Sequence, residues 1–157
     1  MYWKKKILSS TYEIYSQDTQ KGWLRDNIWK GEAHGELLDR ELKFKSKGVF
    51  KSHTDIINAG TGEHLGQIRY NTWMTRADIS LEGKKFLWKY DNSWQTRWSI
   101  TMEDGMQIRY SGNEIKGRIE GLTDNPAALL TGLFATTYNW QITLIVIFVP
   151  LFIILFT

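Results

Sequence analysis

The chain has no cysteine. That excludes disulfides, thiolate metal sites and cysteine nucleophiles, and it fits a reducing compartment. Histidine is scarce: His34, His53 and His64 are the only three. None has a helical i, i+4 partner or a carboxylate at a recognised metal spacing, so they read as surface or strand residues, with no metal or cofactor expected. The first residues are also not expected to act as a secretory leader. Lys4, Lys5 and Lys6 are followed by just two apolar residues, Ile7 and Leu8, whereas a signal peptide needs an apolar run of roughly 7 to 15. The body is therefore expected in the cytosol. The most informative absence is charge. After Asp124 the 33 residues from Asn125 to Thr157 carry none, and such a stretch must be hidden in its own domain, in a partner or in a bilayer.

Catalytic motifs are lacking as well. Gly60, Gly62 and Gly66 superficially resemble a phosphate-binding loop, but no Gly-Lys-Ser/Thr or helix follows them, and a turn is the plainer reading. Acidic pairs such as Asp39 with Glu41, or Glu103 with Asp104, fall in turns of a charged domain and read as solvated. No Ser/His/Asp set stands out, so a non-enzymatic role is expected.

What is present before Asp124 is a polar, charge-rich body. Twenty basic and 17 acidic residues leave a net charge of +3 and a pI near 9.0. This small, dispersed excess suits an anionic lipid surface better than nucleic acid, which calls for a concentrated basic stripe. Short alternating runs broken by glycine turns predict a β-meander from Ile7 to Glu120. Phe86, Trp88 and Tyr90 share one strand face, as do Trp98, Ile100 and Met102, then Met106, Ile108 and Tyr110, then Ile115, Gly117 and Ile119. Turns are expected at Gly60-Thr61-Gly62, Glu82-Gly83, Asp104-Gly105 and Ser111-Gly112-Asn113. The spacing allows roughly ten to twelve strands, closed as a barrel or folded as a sandwich. The tetrapeptide Gln67-Ile68-Arg69-Tyr70 recurs as Gln107-Ile108-Arg109-Tyr110, either by convergence of two amphipathic strands or as the trace of a duplicated hairpin. Thr123-Asp124-Asn125-Pro126 offers caps and a first-turn proline for a helix. Ala128, Gly132 and Thr136 then form a small-residue stripe suited to close helix packing.

Many strands, hairpins such as Ile56-Ile57-Asn58-Ala59-Gly60-Thr61-Gly62-Glu63-His64-Leu65-Gly66-Gln67-Ile68, and a hydrophobic helix opening at Asn125-Pro126-Ala127-Ala128-Leu129-Leu130 resemble the tubby C-terminal-like superfamily. That group includes the LURP-one-related proteins and the phospholipid scramblases. The resemblance covers Ile7 to about Tyr138 as an order of elements, and it implies a mainly β fold, a closed antiparallel barrel around a C-terminal hydrophobic helix. The expected organisation is a barrel body over 1–124, a helix inside or against it over 125–139, and an apolar tail over 140–157. No lipid-binding or calcium-binding signature of the family matches here residue by residue, so neither phosphoinositide binding nor scrambling is carried over.

The rear of the tail exceeds what the resemblance covers. Thirty-three helical residues would span about 50 Å against a hydrocarbon core of about 30 Å, and Asn139-Trp140-Gln141 is the natural division, as a bend or a membrane–water interface. Ile142 to Thr157 makes about 24 Å of helix, and residues from Thr136 onward would complete a span. Pro150 is better tolerated in a membrane helix than in a water-exposed one. The expected anchor residues are Trp140, Ile142, Leu144, Ile145, Ile147, Phe148, Leu151, Phe152, Ile154 and Leu155. Trp23, Trp29, Trp73, Trp88, Trp94 and Trp98 are expected to fill the barrel or cap its ends. Some of them could instead join Lys84, Lys85, Lys89 and Arg97 in contacting lipid headgroups. The expectation is a membrane-anchored, lipid-associated scaffold or accessory subunit, with membrane lipid and integral membrane subunits as partners. Its barrel would face the cytosol, at a bacterial inner membrane in the first instance. The alternatives are a soluble ligand-binding barrel whose helix is its own core, and scramblase-like lipid handling.

Overall fold

A computed structural model describes residues 1–27, 29–47, 53–121 and 124–156, apart from the side chains of Ile147 and Phe156. Twelve antiparallel strands follow one another as an up-and-down meander: β1 Tyr2–Lys5, β2 Thr11–Ser16, β3 Thr19–Asn27, β4 Glu32–Leu37, β5 Arg40–Lys47, β6 His53–Asn58, β7 His64–Tyr70, β8 Arg76–Leu81, β9 Lys84–Tyr90, β10 Arg97–Met102, β11 Gln107–Gly112 and β12 Lys116–Glu120. Each strand pairs with its neighbours in sequence, and β1 pairs with β12 to close the barrel. Closure leaves no open sheet edge, so the barrel alternative of the sequence reading holds and the sandwich does not.

Period-two alternation fills the inside. Ile14, Leu24, Leu42, Phe44, Ile56, Ile68, Ile79, Trp88, Ile100 and Ile108 are all buried, while the residues between them face outward. The expected faces hold for Phe86 with Trp88, for Trp98 with Ile100, and for Ile108 with Tyr110. They fail at their ends: Met106 and Ile115 lie in turns and are exposed, because the alternation stops where pairing stops. Ser111 and Gly112 likewise belong to β11, and the turn follows them. The seam needs Gly117, which lies opposite Trp3 of β1. A Cβ there would meet the Trp3 ring at 2.0 Å, so only glycine lets the indole lie across the closing strand pair.

A barrel of twelve strands is too wide for side chains alone to fill. Its interior holds α1 Pro126–Phe156, the one helix among the described residues. Asn125 caps it, its Oδ1 accepting from the Ala128 amide at 3.1 Å, and Pro126 occupies the first turn, where a missing N–H costs nothing. Thr123, another candidate cap, lies outside the described residues. From Ala127 to Trp140 every residue of α1 is buried, and this all-round burial explains why the sequence there has no polar face.

Candidate membrane-docking site

The helix is tied to the barrel wall by hydroxyls. Tyr70 donates to the carbonyl of Ala135 and Tyr110 to that of Leu129, both at 2.9 Å. These are the last residues of the repeated Gln-Ile-Arg-Tyr tetrapeptide. The repeat thus has one structural job on β7 and β11: isoleucine into the core, tyrosine onto the helix backbone. Burial raises both phenols well above their ordinary pKa, so they stay protonated and able to donate. Trp88 Nε1 donates to Thr136 Oγ1 at 2.9 Å, and Tyr90 donates to Asn139 Oδ1 at 2.7 Å. Phe44 stacks on Phe134 with centroids 4.2 Å apart.

The stripe expected to pack closely is buried throughout. A Cβ on Gly132 would stand 2.4 Å from the Tyr110 hydroxyl and 2.6 Å from Ile100 Cδ1. The partner of the stripe at Gly132 and Thr136 is the inner wall of β9 to β11, so the small residues serve passage through the barrel.

At Asn139-Trp140-Gln141 the helix does not stop. The environment changes instead. Trp140 is buried edge-on against Trp98, with centroids 5.3 Å apart. It belongs to the barrel core, a correction to its expected place in the anchor. Ile142 is half-buried and packs on the core. Leu144, Ile145, Phe148, Leu151, Phe152, Ile154 and Leu155 are exposed, from 39% for Leu144 to 74% for Ile154. The side chain of Ile147 lies outside the described part. The helical segment from Thr143 to Phe156 is about 21 Å long. Because Thr136 to Trp140 are enclosed by the barrel, they cannot be borrowed to lengthen a span as the sequence suggested. The segment reaches past the middle of a hydrocarbon core of about 30 Å without matching its full thickness.

Strand parity sorts the turns into two rims. The helix starts at the far rim, beside the β8–β9 and β10–β11 turns, and emerges at the rim formed by the β1–β2, β3–β4, β7–β8, β9–β10 and β11–β12 turns. Counting turns and terminal strand residues among those described, the tail-side rim carries Lys5, Lys6, Lys30, Lys47, Arg76, Arg97 and Lys116 against Glu32, Asp91 and Glu114, a net of +4. The far rim carries Arg40 and Lys84 against Asp18, Asp39, Glu63, Glu82, Glu103, Asp104, Glu120 and Asp124, a net of −6. The net charge of the whole chain hides this division.

The four cations expected at headgroups are not together. Arg97 and Lys89 lie at the tail side, whereas Lys84 and Lys85 sit beside Glu103, Asp104 and Asp124 at the other end, roughly 20 Å along a seven-residue strand. The tryptophans also divide. Trp88 and Trp98 are core, together with Trp3; Trp23 is half-buried on the outer wall beside His34. Trp29, Trp73 and Trp94 do not fill the barrel: they are 91%, 83% and 86% exposed, all in tail-side turns. Trp29 lines an apolar groove with Leu144, Ile145 and Phe148 of the emerging helix.

No family model, curated protein or solved structure matches the chain.

One polar cluster escaped the sequence reading. On the outer wall, Asp55 accepts from Lys47 Nζ at 2.8 Å and meets His53 Nε2 at 2.9 Å and His64 Nε2 at 3.2 Å. Hydrogen bonds from Lys47 first, then His53, hold its carboxyl well below the usual range. His53 and Asp55 share a strand face at i, i+2, but His64 arrives only through the β6–β7 pairing and its bulge, which spacing along one strand cannot reveal. The lysine takes one carboxylate oxygen and the histidines the other, so the cluster clasps β5, β6 and β7 together.

Proposed function

We propose that the protein is a non-enzymatic, membrane-anchored β-barrel, a lipid-associated scaffold or accessory subunit of a membrane assembly. One observation carries this reading: a single unbroken helix is the barrel's core as far as Trp140 and exposes its large apolar side chains from Leu144 to Leu155, among those described. By length and composition that helix can enter a bilayer. In water its exposed Ile, Leu, Val and Phe side chains would form an apolar surface much larger than monomeric proteins tolerate. A barrel around an apolar helix is also what the tubby C-terminal-like resemblance implies, and membership of that superfamily is part of the proposal. The basic tail-side rim supports placing the barrel at the anionic cytosolic leaflet.

A soluble ligand-binding barrel shares the first half of the account, since α1 is a core helix up to Trp140. It differs in leaving Leu144 to Leu155 in water and in needing interior room that the helix already occupies. Expression of the full chain followed by alkaline carbonate extraction of membranes tests the proposal. Retention in the membrane pellet is expected; recovery as a soluble monomer would overturn it.

A further inference from the structure

We infer that the tail-side rim is itself a docking face for an anionic bilayer, with Trp29, Trp73 and Trp94 seated in the headgroup layer. This rests on the tail being membrane-inserted, and it adds the lipid class and the orientation of the barrel.

Two of the three loops are the same built device. Asn71-Thr72-Trp73-Met74-Thr75-Arg76 and Asn92-Ser93-Trp94-Gln95-Thr96-Arg97 share the pattern Asn-x-Trp-x-Thr-Arg. In the first, Asn71 Oδ1 accepts from the amides of Thr75 and Arg76 at 2.8 and 3.1 Å, and its Nδ2 donates to Thr75 Oγ1 at 3.0 Å. In the second, Asn92 makes the same three bonds to Thr96 and Arg97 at 3.1, 3.0 and 2.7 Å. The residue after each tryptophan is left-handed, Met74 at φ 56° and Gln95 at φ 57°. The third loop is a shorter version, with Asn27 Oδ1 accepting from the Lys30 amide at 3.2 Å. Asn71 and Asn92 each stiffen a turn whose tip is an indole held out of the barrel, and Trp29 stands exposed beside the emerging helix.

Packing gives no reason for this. The core has its own indoles in Trp3, Trp88, Trp98 and Trp140, and an exposed tryptophan on a stiff loop is a surface to be covered. Indole favours the membrane–water interface, and the basic residue that follows each one favours anionic headgroups. The three loops lie between β3 and β4, β7 and β8, and β9 and β10, along one half of the rim through which the tail leaves. Contact at three points along the rim beside an inserted helix would orient the barrel, its −6 rim turned away from the negative surface. Charge complementarity and continuity with the tail therefore both select an anionic bilayer as the occupant.

The test uses the full chain reconstituted into vesicles of phosphatidylcholine, with and without phosphatidylglycerol. Tryptophan emission is read with lipid brominated near the headgroup and with aqueous acrylamide. Wild type is compared with W29A/W73A/W94A and R76Q/R97Q, all first shown to melt as wild type does. In anionic vesicles, lipid quenching should include a large component that the triple tryptophan variant lacks. Each arginine removed should lower the docked-to-undocked ratio about fivefold, and pure phosphatidylcholine should lower it further. Equal lipid quenching of wild type and triple variant would overturn the inference. So would shielding of the three indoles in native membranes but not in anionic vesicles, which would make the rim a protein interface. If the chain is not retained by vesicles at all, the anchor reading fails first; if it is retained while the indoles stay open to acrylamide, only the rim inference fails.

Discussion

Replacing Val149 by arginine places a cation near the middle of the helical segment that projects from the barrel. Val149 is 51% exposed and lies in the segment that has left the barrel, so the substitution should leave folding within about 0.5 kcal/mol of wild type. Its effect on insertion is far larger. Eleven apolar residues from Leu144 to Leu155 contribute about 0.3 to 0.6 kcal/mol each, roughly 3 to 7 kcal/mol in favour of the bilayer. An arginine near the centre costs about 2.5 to 3.5 kcal/mol, and the lost valine adds a few tenths. The change of about 3 to 4 kcal/mol cancels half or more of the driving force and lowers the membrane-to-water ratio by two orders of magnitude or more. Flotation with vesicles reads that ratio, and circular dichroism with melting confirms the fold; V149L is the control that should float like wild type. A folded V149R that floats undiminished would refute the claim that this segment is inserted.

Three further outcomes concern the barrel. Gly132→Ala should destabilise by about 1 to 2 kcal/mol despite the better helix propensity of alanine, because the new methyl collides with a tyrosine hydroxyl already bonded to the helix; melting should fall by a few degrees. Tyr70→Phe and Tyr110→Phe should each cost about 1 kcal/mol by denaturant titration, and the double variant should be additive within about 0.5 kcal/mol, since β7 and β11 are not neighbours. At low pH, Asp55 matters. Its folded carboxyl sits below the ordinary value of 3.8, so its contribution is present above about pH 4 and is lost as pH falls through the folded value. Acid titration of wild type should therefore show a steeper loss of stability than that of D55N.

Much of the barrel was legible because each strand reports its own faces. Trp88 and Ile100 point inward by period two, and Asn125-Pro126 announces the helix without tertiary context. The site was less legible because it depends on parity. Which rim Lys84, Lys89 or Trp94 belongs to follows only once the strands are counted and the direction of α1 is known. Hence Lys84 and Lys85 were grouped with Arg97 although they lie at the opposite end. Trp140 was misplaced for a different reason: a tryptophan between two amides looks the same in sequence whether it meets lipid or, as here, another indole. The Asn-x-Trp-x-Thr-Arg repeat was readable in the chain. Its role was not, because alternation arguments apply to strands and say nothing of a side chain at a loop tip.

The central claim is that α1 serves two media, protein up to Trp140 and bilayer beyond Thr143. Truncation tests it most directly, placed after Thr143 and not after Asn139, since the latter would remove the Trp140–Trp98 contact from the core. The account predicts that residues 1–143 form a soluble barrel melting within a few degrees of the full chain and no longer resisting carbonate extraction. An unfolded or aggregated 1–143, or one still retained in carbonate-washed membranes, would contradict it.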